Sequence, residues 1–390
     1  MHIIYYTILI LTILYFILIT YIKITYNFWS IQPVFHYYNL FYWIKSADII
    51  NHNLPSINKY CNLKNISTYD YDSLTNVNKQ YIINFIKTHY LRSKIANYLP
   101  TLLSFSSYFE NNKYPSYISV YSNNTLLNDY ANKISIPHNE IVSVITGRPL
   151  NVSINKIEFY LYYIDYLCVH KKYRKQNIAP STIQTHELFQ RHNNKKIQIC
   201  LFKREGDITG IVPLTIYDTI FYKKISVYRI KNPKMCVFLI TMQNIYLAME
   251  FIKLHINKFE CVINPCESNI LHLIKNNILF IYALKLNDDI ISLYFFKNTY
   301  TYYNTKPSIE LISSISGCPY DEMFYIGFTN AYFQLSKQLK IKIILIENIS
   351  HNTKIIKNIH NEIIATSPTA FFFYNYATPS ISPEKVFIIY

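Results

Sequence analysis

With 390 residues, of which 51% are hydrophobic and 16% charged, the chain holds enough apolar material for two packed units of roughly 150 to 200 residues each, which excludes a disordered protein. The formal charge of +15 favours polyanions, but its 38 Lys and Arg are dispersed among 23 Asp and Glu. No zinc-finger, P-loop or dinucleotide-binding spacing accompanies them, which argues against nucleic acid and a metal site. The 7 cysteines are an odd, scattered set that suits a reducing compartment better than a disulfide framework.

Residues 3–22, IIYYTILILTILYFILITYI, carry no formal charge and match the ~20 residues a helix needs to cross a bilayer. No basic segment precedes the run and no small-residue cleavage site follows it, so it reads as a retained single-pass anchor, with a buried helix or strand as the alternative. Lys23 follows directly, which by the positive-inside bias puts the body of the protein on the cytoplasmic side.

After the anchor, residues 27–34 (NFWSIQPV) set aromatics beside a Gln-Pro that stops a helix. The spacing of Tyr81, Ile82, Phe85, Ile86, Tyr90 and Leu91 predicts a helix over 77–98. Strands are expected at 141–145 and 154–167, interrupted by Gly147, Arg148 and Pro149, then a helix over 180–192 and strands at 197–202 and 211–216. Helices over 242–254 and 323–339 and strands at 278–284, 290–296, 341–346 and 370–376 continue the alternation. The expected class is α/β (α+β) in two lobes, divided as an anchor over 1–24, a first lobe over 25–215 and a second over 216–390.

Chemistry concentrates in 163–180, YIDYLCVHKKYRKQNIAP, an apolar strand that ends in a basic turn and a helix start. Amides just past a strand end lack ladder partners, and those at a helix start lack intrahelical acceptors, so both sets can face oxygen atoms. One set can hold a thioester carbonyl as it becomes negative, the other a pyrophosphate. Lys171, Lys172, Arg174 and Lys175 would attract that polyanion. A solvated basic loop at a strand end is the plain alternative. Cys168 fits a small apolar core residue, and His170 fits either a phosphate neighbour or a structural role.

DYLCVHKKYRKQNIAP, Asp165 to Pro180, resembles the signature of the eukaryotic glycylpeptide N-tetradecanoyltransferases, the N-myristoyltransferase family. YNFWSIQPV at 26–34, IVSVITGRPLNV at 141–152 and FFYNYATPSISPEKVFIIY at 372–390 resemble further blocks in the family's order. The resemblance implies two fused GNAT-like lobes, the first binding acyl-CoA and the second the peptide. It implies transfer of myristate from myristoyl-CoA, a cosubstrate and not a resident cofactor, to the amine of an N-terminal glycine; separately, the apolar run 3–22 gives the chain a membrane partner, and a monomer is expected. The backbone amides of Tyr166 and Leu167 would form the oxyanion hole, and the terminal carboxylate of Tyr390 would be the base. Lys175, Gln176, Asn177 and Ile178 would cradle the CoA pyrophosphate with His170, Arg174 and Ala179 near by, while Phe28 and Trp29 would close over the CoA.

The chain departs from that pattern at several places. Asp165 stands where the family has Asn, and Gln176 and Asn177 replace a basic pair. THYLRSKI at 88–95 is basic where the family has an acidic loop, and its Tyr-Thr-Ala-Gly segment survives as Ile208, Thr209 and Gly210. Three readings follow: a membrane-anchored N-myristoyltransferase-like enzyme, an inactive acyl-CoA-binding or structural module of the same fold, and a GNAT-type N-acyltransferase with another donor or amine.

Overall fold

Asn155 and Lys156 both adopt left-handed backbone (φ 50° and 69°) and join two long antiparallel strands, Ile134–Ile154 and Ile157–Val169. Paired left-handed residues make a turn whose twist matches the strands it connects. The computed structural model describes residues 2–91, 95–129, 134–206 and 210–390, so Arg92, Ser93 and Lys94 of the basic stretch, and Ile208 and Thr209, lie outside the described residues. The first strand runs straight through Gly147, Arg148 and Pro149, which the sequence reading treats as a break. Pro149 falls between the stretch paired to Tyr117–Asp129 and the stretch paired to Cys261–Asn264. One edge of the strand has no ladder partner there, the kind of position that tolerates proline.

The helix expected over 77–98 is Asn76–His89, with Thr75 capping its start through a bond from the Asn78 amide. Tyr90 is its C-cap, Leu91 takes φ 45°, and Ala96–Tyr98 is a strand paired to residues 301–303. The apolar period ran past the helix because Tyr90 and Leu91 are at helical spacing while their backbone has already left the helix. Ile82, Ile83, Phe85 and Ile86 are buried, whereas Tyr81 is exposed.

Most strands join one mixed sheet. Its order runs Val386–Ile388, Cys261–Asn264, Ile134–Ile154, Ile157–Val169, Ile199–Glu205, Ile363–Tyr374, Thr215–Tyr222, Ile343–Glu347, Lys306–Ser316, Asp289–Tyr303, Leu279–Leu286 and Met235–Ile240. Two parallel pairs use helical crossovers. Ile178–Asn193 links Ile157–Val169 to Ile199–Glu205, and Asp321–Leu339 links Lys306–Ser316 to Ile343–Glu347. The strand expected at 211–216 lies instead at Thr215–Tyr222, with Ile211 in an isolated bridge to His36.

The late strand Ile363–Tyr374 inserts between Ile199–Glu205 and Thr215–Tyr222, and Val386–Ile388 reaches the first half through Cys261–Asn264. The C-terminal residues therefore end beside the middle of the chain. At the other end His2–Thr25 is one helix, and its stretch Ile3–Thr25 has a mean hydropathy of 2.4 and none of its apolar window buried. Among the described residues it is the one helix long and apolar enough to cross a membrane.

Candidate functional site

The parallel strands Ile157–Val169 and Ile199–Glu205 pair only from Leu161/Ile199 to Ile164/Phe202, then separate. Asp165, Tyr166 and Leu167 on one side and Lys203 on the other line the cleft that opens. On its opposite edge the first strand bulges: Val144 pairs with Cys168 and Thr146 with Asp165, so Tyr166 and Leu167 together oppose Ile145. Tyr166 takes φ 52°, a costly backbone for a bulky residue. Its ring explains why the strain persists. It packs 5.0 Å from Phe105 and 5.3 Å from Tyr90, and its hydroxyl lies 2.8 Å from that of buried Tyr98. Ser143 Oγ and Thr146 Oγ1 brace the bulge from its flanks by donating to the carbonyls of Cys168 and Asp165.

The two amides expected to form an oxyanion hole thus sit in a bulge facing a cleft. They differ in what they meet. The Tyr166 N–H donates to its neighbour's Asp165 Oδ1 at 2.7 Å, and that same oxygen accepts from Tyr90 Oη at 3.3 Å. Leu167 has no register partner, and its half-exposed side chain borders both cavities described next.

The first cavity, about 590 Å³, is lined by Tyr173, Arg174, Lys175, Asn177, Ile178, Ala179 and Pro180 opposite His89, Tyr90 and Leu91. Lys175 and Asn177 are left-handed (φ 64° and 57°), which bends the chain so that the start of Ile178–Asn193 borders this space. Arg174 braces the turn, donating from Nε to Val169 O and from Nη2 to His89 O. His170 Nδ1 accepts from the Lys172 amide, so the histidine caps the turn and does not line the cavity. Gln176 also stays outside it, donating back to Lys172 O.

The second cavity, about 290 Å³, lies in the cleft itself between Trp29, Ile145, Ile164, Ile183 and Phe202. Trp29 stacks on Phe202 at 5.7 Å, whereas Phe28 packs one layer behind, against Trp29 and Tyr60. Burial pushes the Cys168 thiol up to about 12, which leaves it protonated and apolar in character.

A third cavity, about 400 Å³, opens on the other side of the bulge with several tyrosines in its wall, and charged residues line it too. Lys203 Nζ lies 2.5 Å from Glu347 Oε1, 3.5 Å from Glu310 Oε1 and 3.4 Å from Glu205 Oε1, and donates to Tyr390 Oη at 2.7 Å. The Tyr390 hydroxyl in turn donates to Glu347 Oε1 at 2.5 Å. Burial works against the charge on Lys203, yet Glu347, Tyr390 and Glu310 outweigh it and hold the lysine well above its usual range. Glu347 is raised to about 7 by its own burial against the pull of Lys203. Lys297 Nζ sits 4.1 Å over the Tyr390 ring and is lowered by burial.

Asp165, Tyr166 and Tyr90 border both the cleft cavity and the charged one, and Tyr90 and Leu167 border the turn cavity. Tyr166, Leu167, Arg174, Lys175, Asn177, Ile178, Ala179, Trp29 and Tyr390 thus fall around one junction, while Phe28, His170 and Gln176 stand behind it. Sequence reasoning missed Lys203, Lys297, Glu310 and Glu347. Each is a charged residue inside an apolar strand (LFKRE, YFFKN, IELIS, ILIEN), and that interruption was the available signal.

The family model described as "Myristoyl-CoA:protein N-myristoyltransferase, N-terminal domain" matches residues 120–212, the span that holds the bulge, the basic turn and the crossover helix. No curated protein matches the sequence. Among solved structures, Saccharomyces cerevisiae N-myristoyltransferase with bound myristoyl-CoA superimposes with a TM-score of 0.71 at 13% identity, covering 91% of this chain and 94% of that one. The fold is that of an N-myristoyltransferase. The same yeast protein with bound myristoyl-CoA and inhibitors gives 0.67 at 13% identity, covering 92% of each chain. The agreement spans both halves, so the mixed α/β architecture corresponds to the tandem GNAT-like lobes of that fold.

Proposed function

We propose that the protein is an acyl-CoA-dependent N-acyltransferase that moves myristate from myristoyl-CoA to the amine of an N-terminal glycine. The observation that carries this reading is the bulge at Tyr166 and Leu167, set where an apolar cleft, a basic turn and a tyrosine-rich cavity meet. The CoA diphosphate would lie on the amides of Ile178 and Ala179 beside Lys175, with the acyl chain in the cleft under Trp29 and the glycine arriving from the Tyr390 side. The Tyr390 carboxylate would take a proton from the glycine ammonium. The freed amine then attacks the thioester carbonyl, the C–S bond breaks, and the thiolate of CoA leaves and takes the proton that the attacking nitrogen sheds as it becomes an amide. Leu167 N–H would face the developing oxyanion, joined by Tyr166 N–H once Asp165 releases it.

The helix His2–Thr25 would anchor the body on the cytoplasmic side of a membrane. Soon after it in the chain, Leu40, Phe41, Trp43 and Ile44 are exposed. An exposed cluster of that kind suits a lipid surface.

The test is transfer of myristate by the full chain to a library of Gly-initiated peptides, read by mass spectrometry. A product whose mass rises by one myristoyl group is the expected result, with acetyl- and decanoyl-CoA as competing donors. The grip of Asp165 on the Tyr166 amide favours a second reading, an acyl-CoA-binding module without turnover. Folded protein that binds acyl-CoA and yields no product with any peptide or donor would select it.

A further inference from the structure

The cavity beside Tyr390 holds a cation that the ion cluster does not use. Lys203 is matched by Glu347, Glu310 and Glu205, and Asp165 Oδ1 is taken by the Tyr166 N–H and Tyr90 Oη. Lys297 lines the same cavity, and among the described residues it forms no ion pair and donates no hydrogen bond. Its ammonium lies over the Tyr390 ring at 4.1 Å and 5.8 Å from the centre of the Tyr108 ring. Glu310, its cross-strand neighbour, and Asp165 attract it only from farther away, while Lys203 and Arg148 repel it.

The backbone explains how Lys297 comes to face this space. It sits in the strand Asp289–Tyr303, paired to Leu279 on one side and Glu310 on the other, just before the register of that strand slips between Asn298 and Tyr302. Tyr300 is left-handed there (φ 49°), and Thr299, Tyr300 and Thr301 line the cavity next to the lysine. A second cation backs the same wall: buried Arg148 lies 4.3 Å from the Tyr108 ring and 5.1 Å from that of Tyr163, and its Nε has no hydrogen-bond partner. Tyrosine faces attract such cations but accept no ordinary hydrogen bond from them. Holding an ammonium in mid-sheet without a paired carboxylate is costly, and a methionine would fill similar volume without that cost. An anion that arrives with a ligand accounts for the lysine.

We propose that Lys297 is a specificity residue for the acceptor: it holds a carboxylate side chain on one of the three residues that follow the N-terminal glycine. In the acyltransferase reading the glycine amine meets the Tyr390 carboxylate, and Lys297 contacts the ring of that same residue. An extended peptide advances ~3.3 Å per residue, which brings those three positions within the lysine's reach. The carboxylate gains a charge-assisted bond to Lys297, with Arg148 adding attraction from behind Tyr108. A basic side chain in the same place meets two cations and is rejected. Glu310 Oε1 is already engaged, facing Lys203 Nζ and the Tyr390 hydroxyl, each at 3.5 Å. This assignment rests on the acyltransferase reading and names its acceptor class.

The experiment measures transfer of myristate by the full chain in detergent micelles to paired Gly-initiated peptides that differ only in glutamate or glutamine at the second, third or fourth residue. At one of these positions kcat/KM is expected to be about tenfold or more higher for glutamate. Lys297→Met is expected to bring that ratio to about one, and Lys297→Arg to retain part of it. No preference at any of the three positions, or a preference that survives Lys297→Met, overturns the proposal. If Lys297→Met fails to fold, Lys297→Gln removes the charge and reads the same ratio. If no peptide is acylated, the transfer reading falls, and equilibrium binding of the same pairs to protein saturated with myristoyl-CoA decides the assignment by itself. Glutamate peptides that bind about tenfold more tightly support it, and equal affinities end it.

Discussion

The basic-turn side of the junction is built from backbone, and the opposite side from side chains. A bulge, two left-handed turn residues and a helix start present amides whose positions depend on chain geometry, so many side chains can stand there without moving them. Gln176 and Asn177 illustrate this: the basic pair implied by the family resemblance is gone, yet Asn177 is left-handed and the helix begins on schedule. The charged cavity is different. Lys203, Glu310, Glu347 and Tyr390 come from four separated strands or ends and satisfy one another's charges and hydrogen bonds only as a set, so each substitution leaves a buried partner unmatched.

The contrast is exposed most sharply at the C-terminus. Appending two residues after Tyr390 should cut transfer by about a hundredfold or more, the scale of a lost general base, while acyl-CoA affinity stays within about threefold. Turnover and equilibrium binding measured on the same sample check this; a parallel fall in both would place Tyr390 in folding and not in proton transfer.

Next in size is the ion cluster. Lys203→Met leaves Glu347 and Glu310 buried without their cation and should cost about 3 to 5 kcal/mol in urea unfolding. Adding Glu347→Gln to that variant should return part of the loss. If Lys203→Met is as stable as the parent, the cluster is solvated and the two sides of the junction differ less than described.

Asp165→Ala sharpens the comparison from the other direction, because it frees a backbone donor by deleting a side chain. Turnover should rise by about tenfold or more if the Tyr166 amide serves the oxyanion. Unchanged turnover would show that Leu167 acts alone.

A last effect is one of pH. Burial lowers His186 to about 4 from an ordinary value of 6.5, so the folded state holds it neutral. A lowered value means that its contribution is intact above pH 6.5 and is lost as pH falls toward 4. At pH 5 the protein should be less stable by roughly 2 kcal/mol than at neutrality from this residue alone. His351, likewise lowered to about 4, adds in the same direction, so the measurement is the difference between the parent and His186→Asn in thermal unfolding across that range.

Much of this architecture was readable where the pattern was local. The anchor-length helix, the Asp321–Leu339 helix and the strand before the basic turn all carry uninterrupted apolar periods, and the turn itself announces a helix start at Pro180. Reading failed where periodicity could not see the backbone: Tyr90 and Leu91 keep helical spacing after the helix has ended, and Gly147 to Pro149 look like a break inside a continuous strand. The strands Tyr117–Asp129 and Cys261–Asn264 were also missed, the first because its polar composition hides a strand and the second because it is too short to show a period.

By itself, then, the order of residues determined the local events: which runs were apolar enough to bury, where a helix could start, and which stretch could offer unpartnered amides. Hydrophobic period and turn chemistry act over a few neighbours and need nothing else. Only the folded chain decided that Asp165 would take the Tyr166 N–H, that Lys203 would meet Glu310, Glu347 and Tyr390, and that His186 and Gln190 would pack against Gly147. Those contacts join positions far apart in sequence, and their partners are chosen by sheet order and register.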